Sequence, residues 1–357
     1  MPNPRLHQTE RRKRERRLTA ILYLISIAVM FTSILIIFGI WLWMMPPSVI
    51  PQDNHDFNNQ DIQMSEQIRQ DVVHLADSIG ERNMHTPGSM DSARAYISRR
   101  FNSLGYNVEE HHYTLRRGIY SGRSATNLIA EIPGSGNSDE IIVIGAHYDT
   151  VSGSPGANDN ASGIAVLLAT ADQMKDYRPY RTIRFVAFAN EEPPFFQTAD
   201  MGSYAYAKRS AERGEAIRGM IALDGLGYFD NSPGSQSYPL PGLGFAYSKR
   251  ATFIGLVTRL GDLNLLRSVS AGFKESGAIA TESAALPGFL PGVNWSDHWS
   301  FWQHGYPGLL ITDTLPFRDP HYHSPYDTPG RLDYENMARI SSALTLAVQN
   351  LADSDTE

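Results

Sequence analysis

Five short stretches carry side chains able to hold a metal ion or move a proton. In IIVIGAHYDT, His147 and Asp149 follow the apolar run Ile141–Ile144. Two residues apart on an extended chain, they point to the same side. Asp149 can then accept a hydrogen bond from one imidazole nitrogen and leave the other for a metal, although a surface His-x-Asp pair satisfies the same spacing. Next comes Gly156-Ala-Asn-Asp-Asn-Ala-Ser-Gly163, a polar turn entering an apolar stretch. Asp159 or Asn160 there is either an N-cap accepting hydrogen bonds from the first helical turn, or Asp159 is a ligand presented by the turn.

The third stretch, RTIRFVAFANEE, ends an apolar run in the adjacent carboxylates Glu191 and Glu192, with Pro193 and Pro194 after them. Like charges this close resist joint ionisation unless a cation is nearby. Consecutive residues of an extended chain point to opposite sides, so one can bind metal while the other handles a proton. Met220-Ile-Ala-Leu-Asp224-Gly225 repeats the pattern with one acid, and DPHYHSPYDT supplies His323 in a turn-rich loop.

The elements that must position these groups alternate along the chain. Near-helical apolar spacing marks residues 62–78 and 91–104, with Gly105 a plausible stop. Short runs rich in Ile, Val, Leu and Phe at 127–132, 141–145, 182–189, 220–223 and 308–311 suit strands covered on both faces. Helices are expected at 161–175, 200–212, 250–261 and 333–351. This alternation implies a single α/β domain with a mostly parallel central sheet flanked by helices. In such sheets, sites form beyond the carboxyl ends of the strands, which is where these acids and imidazoles fall.

With 42% hydrophobic and 19% charged residues, the chain suits a folded domain rather than a disordered one. It contains no cysteine, which excludes disulfides, thiolate metal sites and a cysteine nucleophile. Charge is unevenly spread. Residues 1–17 carry seven basic and two acidic side chains, a net of +5; taking that from the whole-chain −7 leaves −12 for the rest. An acidic body argues against nucleic acid as a partner.

Leu18 to Met45 contains no charged residue. As a helix it would be about 42 Å long at ~1.5 Å per residue, more than the ~30 Å hydrocarbon core of a bilayer. A cleaved signal peptide has a shorter apolar stretch ending at small residues. This one ends in Trp41, Trp43 and Pro46, and tryptophan suits a membrane interface. The expected organisation is a basic cytoplasmic tail (1–17), a transmembrane anchor (18–45), a linker rich in Pro, Asn and Gln (46–60), a catalytic domain (61–352) and an acidic tail (353–357). The basic tail places the N-terminus in the cytoplasm and the domain outside it.

The order HYD … NDNASG … NEE … LDG … YHSPYDT resembles the zinc exopeptidase family of the bacterial leucyl-type aminopeptidases and glutamate carboxypeptidases. The resemblance covers about residues 65–350 and extends to Ile79-Gly-Glu-Arg82 … Thr86-Pro-Gly88. It implies two zinc ions, one on His147 and Asp224, the other on Glu192 and His323, with Asp159 bridging both. It further implies Glu191 as general base and Asp149 as the partner orienting His147. Three carboxylates offset three of the four positive charges, leaving the metal pair electrophilic, and zinc suits such imidazole and carboxylate sets. Ser296-Asp297-His298 is similar to the family's Ser-Asp-His stretch, so Asp297 is expected either just behind the ligands or in a structural polar turn. Tyr322 precedes His323 as a tyrosine does in the glutamate carboxypeptidases, where it helps stabilise the tetrahedral intermediate.

Gly202-Ser203 is expected to pack, and His111-His112 to lie on a solvated strand. The link from Glu192 to Gly202 is longer than in the family. The stretches 227–248 and 284–295 are rich in turn residues, so substrate preference is not carried over. Together with the expected anchor, the resemblance implies a membrane-anchored two-zinc aminopeptidase acting on peptides outside the cytoplasm. Its rivals are a metallo-carboxypeptidase, a one-zinc glutaminyl cyclase-like transferase and a receptor-like scaffold without catalysis. Oligomeric state is not expressed in the sequence.

Overall fold

The computed structural model describes residues 4–51, 57–240 and 242–353. Part of the expected linker (52–56) and the acidic tail from 354 lie outside the described residues. The chain divides into two units, Met1–Met45 and Pro46–Glu357. The first is the helix α1 (Pro4–Met44), in which Arg16–Met44 is long and apolar enough to cross a membrane. Its apolar side chains, Ile36 and Ile37 among them, are exposed rather than packed in a core.

The second unit opens with α2 (Asn59–Val73), started by a capping box. The Asn58 side chain accepts the N–H groups of Gln60 and Asp61, and Asp61 accepts the N–H of Asn58. Then follow α3 (Ser89–Ser103), β1 (Val108–Thr114), β2 (Ser124–Ile132), β3 (Asn137–His147), α4 (Gly163–Met174), β4 (Arg181–Phe188), α5 (Gly202–Glu212) and β5 (Ala216–Leu223). The chain continues through β6 (Ile254–Arg259), α6 (Leu263–Ser276), β7 (Thr281–Leu286), α7 (His298–Gln303), β8 (Gly308–Thr312) and α8 (Tyr334–Asp353).

The strands form one eight-stranded sheet in the order β1-β2-β4-β3-β5-β8-β6-β7. Its centre, β4-β3-β5-β8, is parallel throughout, while β1 and β2 join antiparallel at one side and β6 runs antiparallel to β8. Ile141 and Val143 of β3 pack with Tyr206 and Ala207 of α5 and Phe301 of α7. Ile142 and Ile144, equally buried, point the other way, towards the layer in which α2, α4, α6 and α8 pack on one another. Burial on both faces explains why these strands are nearly continuous apolar runs. The edge strand β7 does not stay bare: Val49 and Thr281 exchange backbone hydrogen bonds of 2.9 and 3.1 Å, a common way of blunting a sheet edge.

The expected α/β class and mostly parallel sheet are observed, but the expected helix at 250–261 is not. Residues 254–259 form β6, and the helix lies further on, at 263–276. The run Ile254-Gly-Leu-Val-Thr-Arg259 is short and contains β-branched residues, and it is held between β8 and β7. Tertiary pairing decides such short apolar runs. His111 is a second correction. His112 is exposed on β1 as expected, but His111 is buried against the Asn127 amide, where burial pulls its pKa down to about 4.

Candidate metal centre

The parallel strands β3, β4 and β5 all end on the same side of the sheet, so their carboxyl-end residues gather there. His147 closes β3, Glu191 and Glu192 follow β4, and Asp224 follows β5, its N–H bonded to Ile311 O of β8 at 3.1 Å. The turn before α4 brings in Asp159, whose peptide bond to Asn160 is cis. His323 reaches the cluster from the loop after β8, with φ at +55°. This is the left-handed region, which histidine tolerates better than branched residues do.

Two groups of donor atoms share Asp159. His147, Asp159 and Asp224 form one, and Asp159, Glu192 and His323 the other, each with its atoms within 4.8 Å of one another. His147 Nε2 lies 3.3 Å from Asp159 and 3.4 Å from Asp224. His323 Nε2 lies 3.0 Å from the other Asp159 oxygen and 3.3 Å from Glu192.

Asp149 lies 3.5 Å from His147 Nδ1, and that nitrogen is closer, at 3.2 Å, to the Asp149 carbonyl. The Asp149 carboxylate is also engaged elsewhere, its two oxygens accepting the N–H groups of Glu191 and Glu192, each at 3.0 Å. One side chain thereby fixes both adjacent acids. Tyr322 stacks on the His323 ring with centroids 3.7 Å apart, and burial together with Asp159 and the neighbouring acids keeps its phenol protonated.

The electrostatics show what the cluster lacks. Asp149, Asp159, Glu191, Glu192, Asp224 and Asp297 are all buried. Burial, then nearby carboxylates, push Glu191 well up, Glu192 up to about 7 and Asp297 up to about 7, with His147 pulling the other way. Although burial alone disfavours a charged imidazole, the surrounding acids raise His147 well above its ordinary value and His323 to about 10. Glu191 Oε1 and both Asp297 oxygens are buried without a hydrogen-bond partner, although buried polar atoms are normally satisfied. Imidazole and carboxylate donors in two triads, with surplus negative charge and orphaned oxygens beside them, fit zinc.

Three residues that support the centre had no role assigned from sequence. Asp327 accepts the N–H groups of Asn158 and Asp159 at 2.7 and 3.1 Å, and so holds the turn carrying the shared carboxylate. Asn158 Nδ2 in turn donates to Asp313 at 2.9 Å. Arg82 is wholly buried, and its guanidinium donates five hydrogen bonds to the carbonyls of Tyr148, Leu75, Gly80, Pro155 and Gly156. These tie the residue after His147 to the turn before Asp159. Gly156 has φ +61°, and a Cβ there would fall 2.4 Å from Asp159 O, so this turn requires glycine. For Asp327, the DT ending of YHSPYDT was the available signal; Arg82 is visible only as part of the N-terminal motif.

Ser203 Oγ pairs with Ser300 Oγ at 2.9 Å, joining α5 to α7. His304 packs on Tyr204 and His298 Nε2 donates to Val293 O, both outside the two triads.

Acids and imidazoles gathered at the strand ends of a doubly covered α/β sheet make a candidate zinc site. Residues 127–348 match Peptidase family M28, and the chain belongs to that family. It is 37% identical over 294 residues to the uncharacterized protein YfbL of Escherichia coli (strain K12), covering 80% of this chain and 88% of that one. The probable leucine aminopeptidase 1 of Trichophyton verrucosum is 28% identical over 240 residues, 63% of this chain and 58% of its own length. The fold is similar to that of BSAP, a zinc aminopeptidase from Bacillus subtilis. That structure has a TM-score of 0.64 at 17% identity, over 82% of this chain and 95% of the other.

Proposed function

We propose that the protein is a membrane-anchored two-zinc aminopeptidase that removes N-terminal residues from peptides outside the cytoplasm. The observation that carries this reading is the sharing of Asp159 between two donor triads, an arrangement suited to a pair of ions. His147 and Asp224 would hold one zinc, Glu192 and His323 the other. Bound zinc supplies positive charge that polarises a scissile carbonyl and acidifies water.

The chain's own groups do the rest. Glu191, fixed through its N–H by Asp149 and with Oε1 unpartnered, accepts the proton of the attacking water and passes it to the leaving amine. Tyr322, protonated beside His323, donates a hydrogen bond to the oxygen that gains charge. Asp297, buried close enough to Asp224 and Glu191 to influence both, adds negative charge behind them that a bound cation would offset. Aminopeptidase names among the relatives favour the free N-terminus over the C-terminus as the end recognised. The apolar helix Arg16–Met44, preceded by basic residues, supports anchoring with the N-terminus cytoplasmic.

The test uses purified full-length chain in detergent. Two zinc ions per chain, and cleavage of peptides with free but not acetylated N-termini, are expected. One zinc ion per chain would point to the cyclase chemistry instead, and none to a scaffold. Cleavage of acetylated peptides from the C-terminus would replace the aminopeptidase reading with a carboxypeptidase.

A further inference from the structure

Beside the metal centre lies an open cleft whose lining includes Tyr322. Its floor is the face of β8, β6 and β7 on which Thr312, Gly255 and Glu282 form one cross-strand row and Leu310, Val257 and Ala284 the next. The first row spans roughly 10 Å, two strand spacings of ~4.8 Å. Its middle is open because the residue is Gly255, where a side chain would stand 3.3 Å from Thr312 O. The walls are aromatic. Trp295 stacks with Phe317 at 6.3 Å, and Tyr238 lies against Tyr247 at 6.0 Å.

One lining residue does not suit an apolar cleft. Glu282 is partly buried at the far end of the row, and its carboxyl is raised by burial. Among the described residues its hydrogen-bond donors are the Ser48 hydroxyl and the Ser248 amide, neither of them charged. Two neutral donors leave much of a carboxylate's accepting capacity unused, and placing an acid in such surroundings is costly unless a cation meets it. Aromatic faces around a carboxylate are the chemistry that receives an ammonium or guanidinium group on an apolar stem.

We infer that this cleft holds the side chain of the substrate's N-terminal residue, and that Glu282 selects peptides beginning with lysine or arginine. The inference rests on the aminopeptidase reading and names its substrate class. Ser48 and Val49, which follow the membrane helix, take part by holding Glu282 and Thr281 at the sheet edge.

The test compares arylamides of lysine, arginine, leucine and norleucine, the last lacking only lysine's ammonium group, on the full-length zinc-supplied chain and on Glu282→Gln. The expected kcat/KM for lysine exceeds that for norleucine by about tenfold or more, mainly through KM, and the variant collapses that ratio. Inhibition of the unaltered protein by free lysine against free norleucine should give the same order, independently of how well the variant folds. Equal or better cleavage of norleucine, or an unchanged ratio in the variant, overturns the inference while leaving an aminopeptidase. Failure to cleave any of the four arylamides removes the aminopeptidase reading, and the inference with it.

Discussion

Asp159 faces His147 with one carboxylate oxygen, at 3.3 Å, and His323 with the other, at 3.0 Å. The two imidazoles come from residues 176 positions apart in the chain, and this one acid is what joins their triads. On the proposed two-zinc reading, Asp159→Ala is therefore expected to lower occupancy of both sites together, to well under one zinc ion per chain by elemental analysis. Clean loss of a single ion would contradict the shared role.

Glu191 belongs to neither triad, so the proposed mechanism separates proton handling from metal binding. Glu191→Gln should retain zinc and lose on the order of 10²–10⁴ in kcat, the usual worth of a positioned acid–base group. Near-normal turnover with full zinc content would exclude Glu191 as the base.

Arg82 neutralises part of the acid cluster from behind, although burial draws its own pKa down to about 10. Arg82→Met would strand five carbonyl groups and remove a buried positive charge beside the acid cluster. A loss of about 3–5 kcal/mol in unfolding free energy is expected. Arg82→Lys keeps the charge but not the planar fork and should recover only part. Urea unfolding of the zinc-loaded protein measures both, and a change below about 1 kcal/mol in either variant would remove the structural role.

Acid sensitivity follows from His111. Its folded pKa is depressed to about 4 against an ordinary 6.5, so between these values the unfolded chain binds the proton that the folded chain refuses. The sign is fixed by that difference. Stability is full above pH 6.5 and declines as pH falls towards 4, by at most about 3 kcal/mol from this one side chain. His111→Gln should flatten the decline between pH 6.5 and 4, as read from urea midpoints; equal slopes in both proteins would assign the acid loss to other groups.

Much was legible before any coordinates. The fold class follows from apolar runs covered on both faces, and the donor residues were visible because each closes such a run or sits in a polar turn beside one. The membrane-length helix shows in an uncharged stretch from Leu18 to Met45. These are local properties, carried by composition and spacing within single stretches of the chain.

What tertiary structure alone decided depends on distance along the chain. The β6 run became a strand because β8 and β7 lie on either side of it, overriding its own spacing. Asp327 and Arg82 act through hydrogen bonds to backbone groups at residues 75–80 and 148–159, contacts that the motifs containing these two residues do not reveal. Glu282 is an unremarked acid until β7 is laid beside β6 and its carboxyl opens on an aromatic cleft. A sequence records which groups a segment offers; which charge meets which, and across how much buried space, is settled only when the sheet closes.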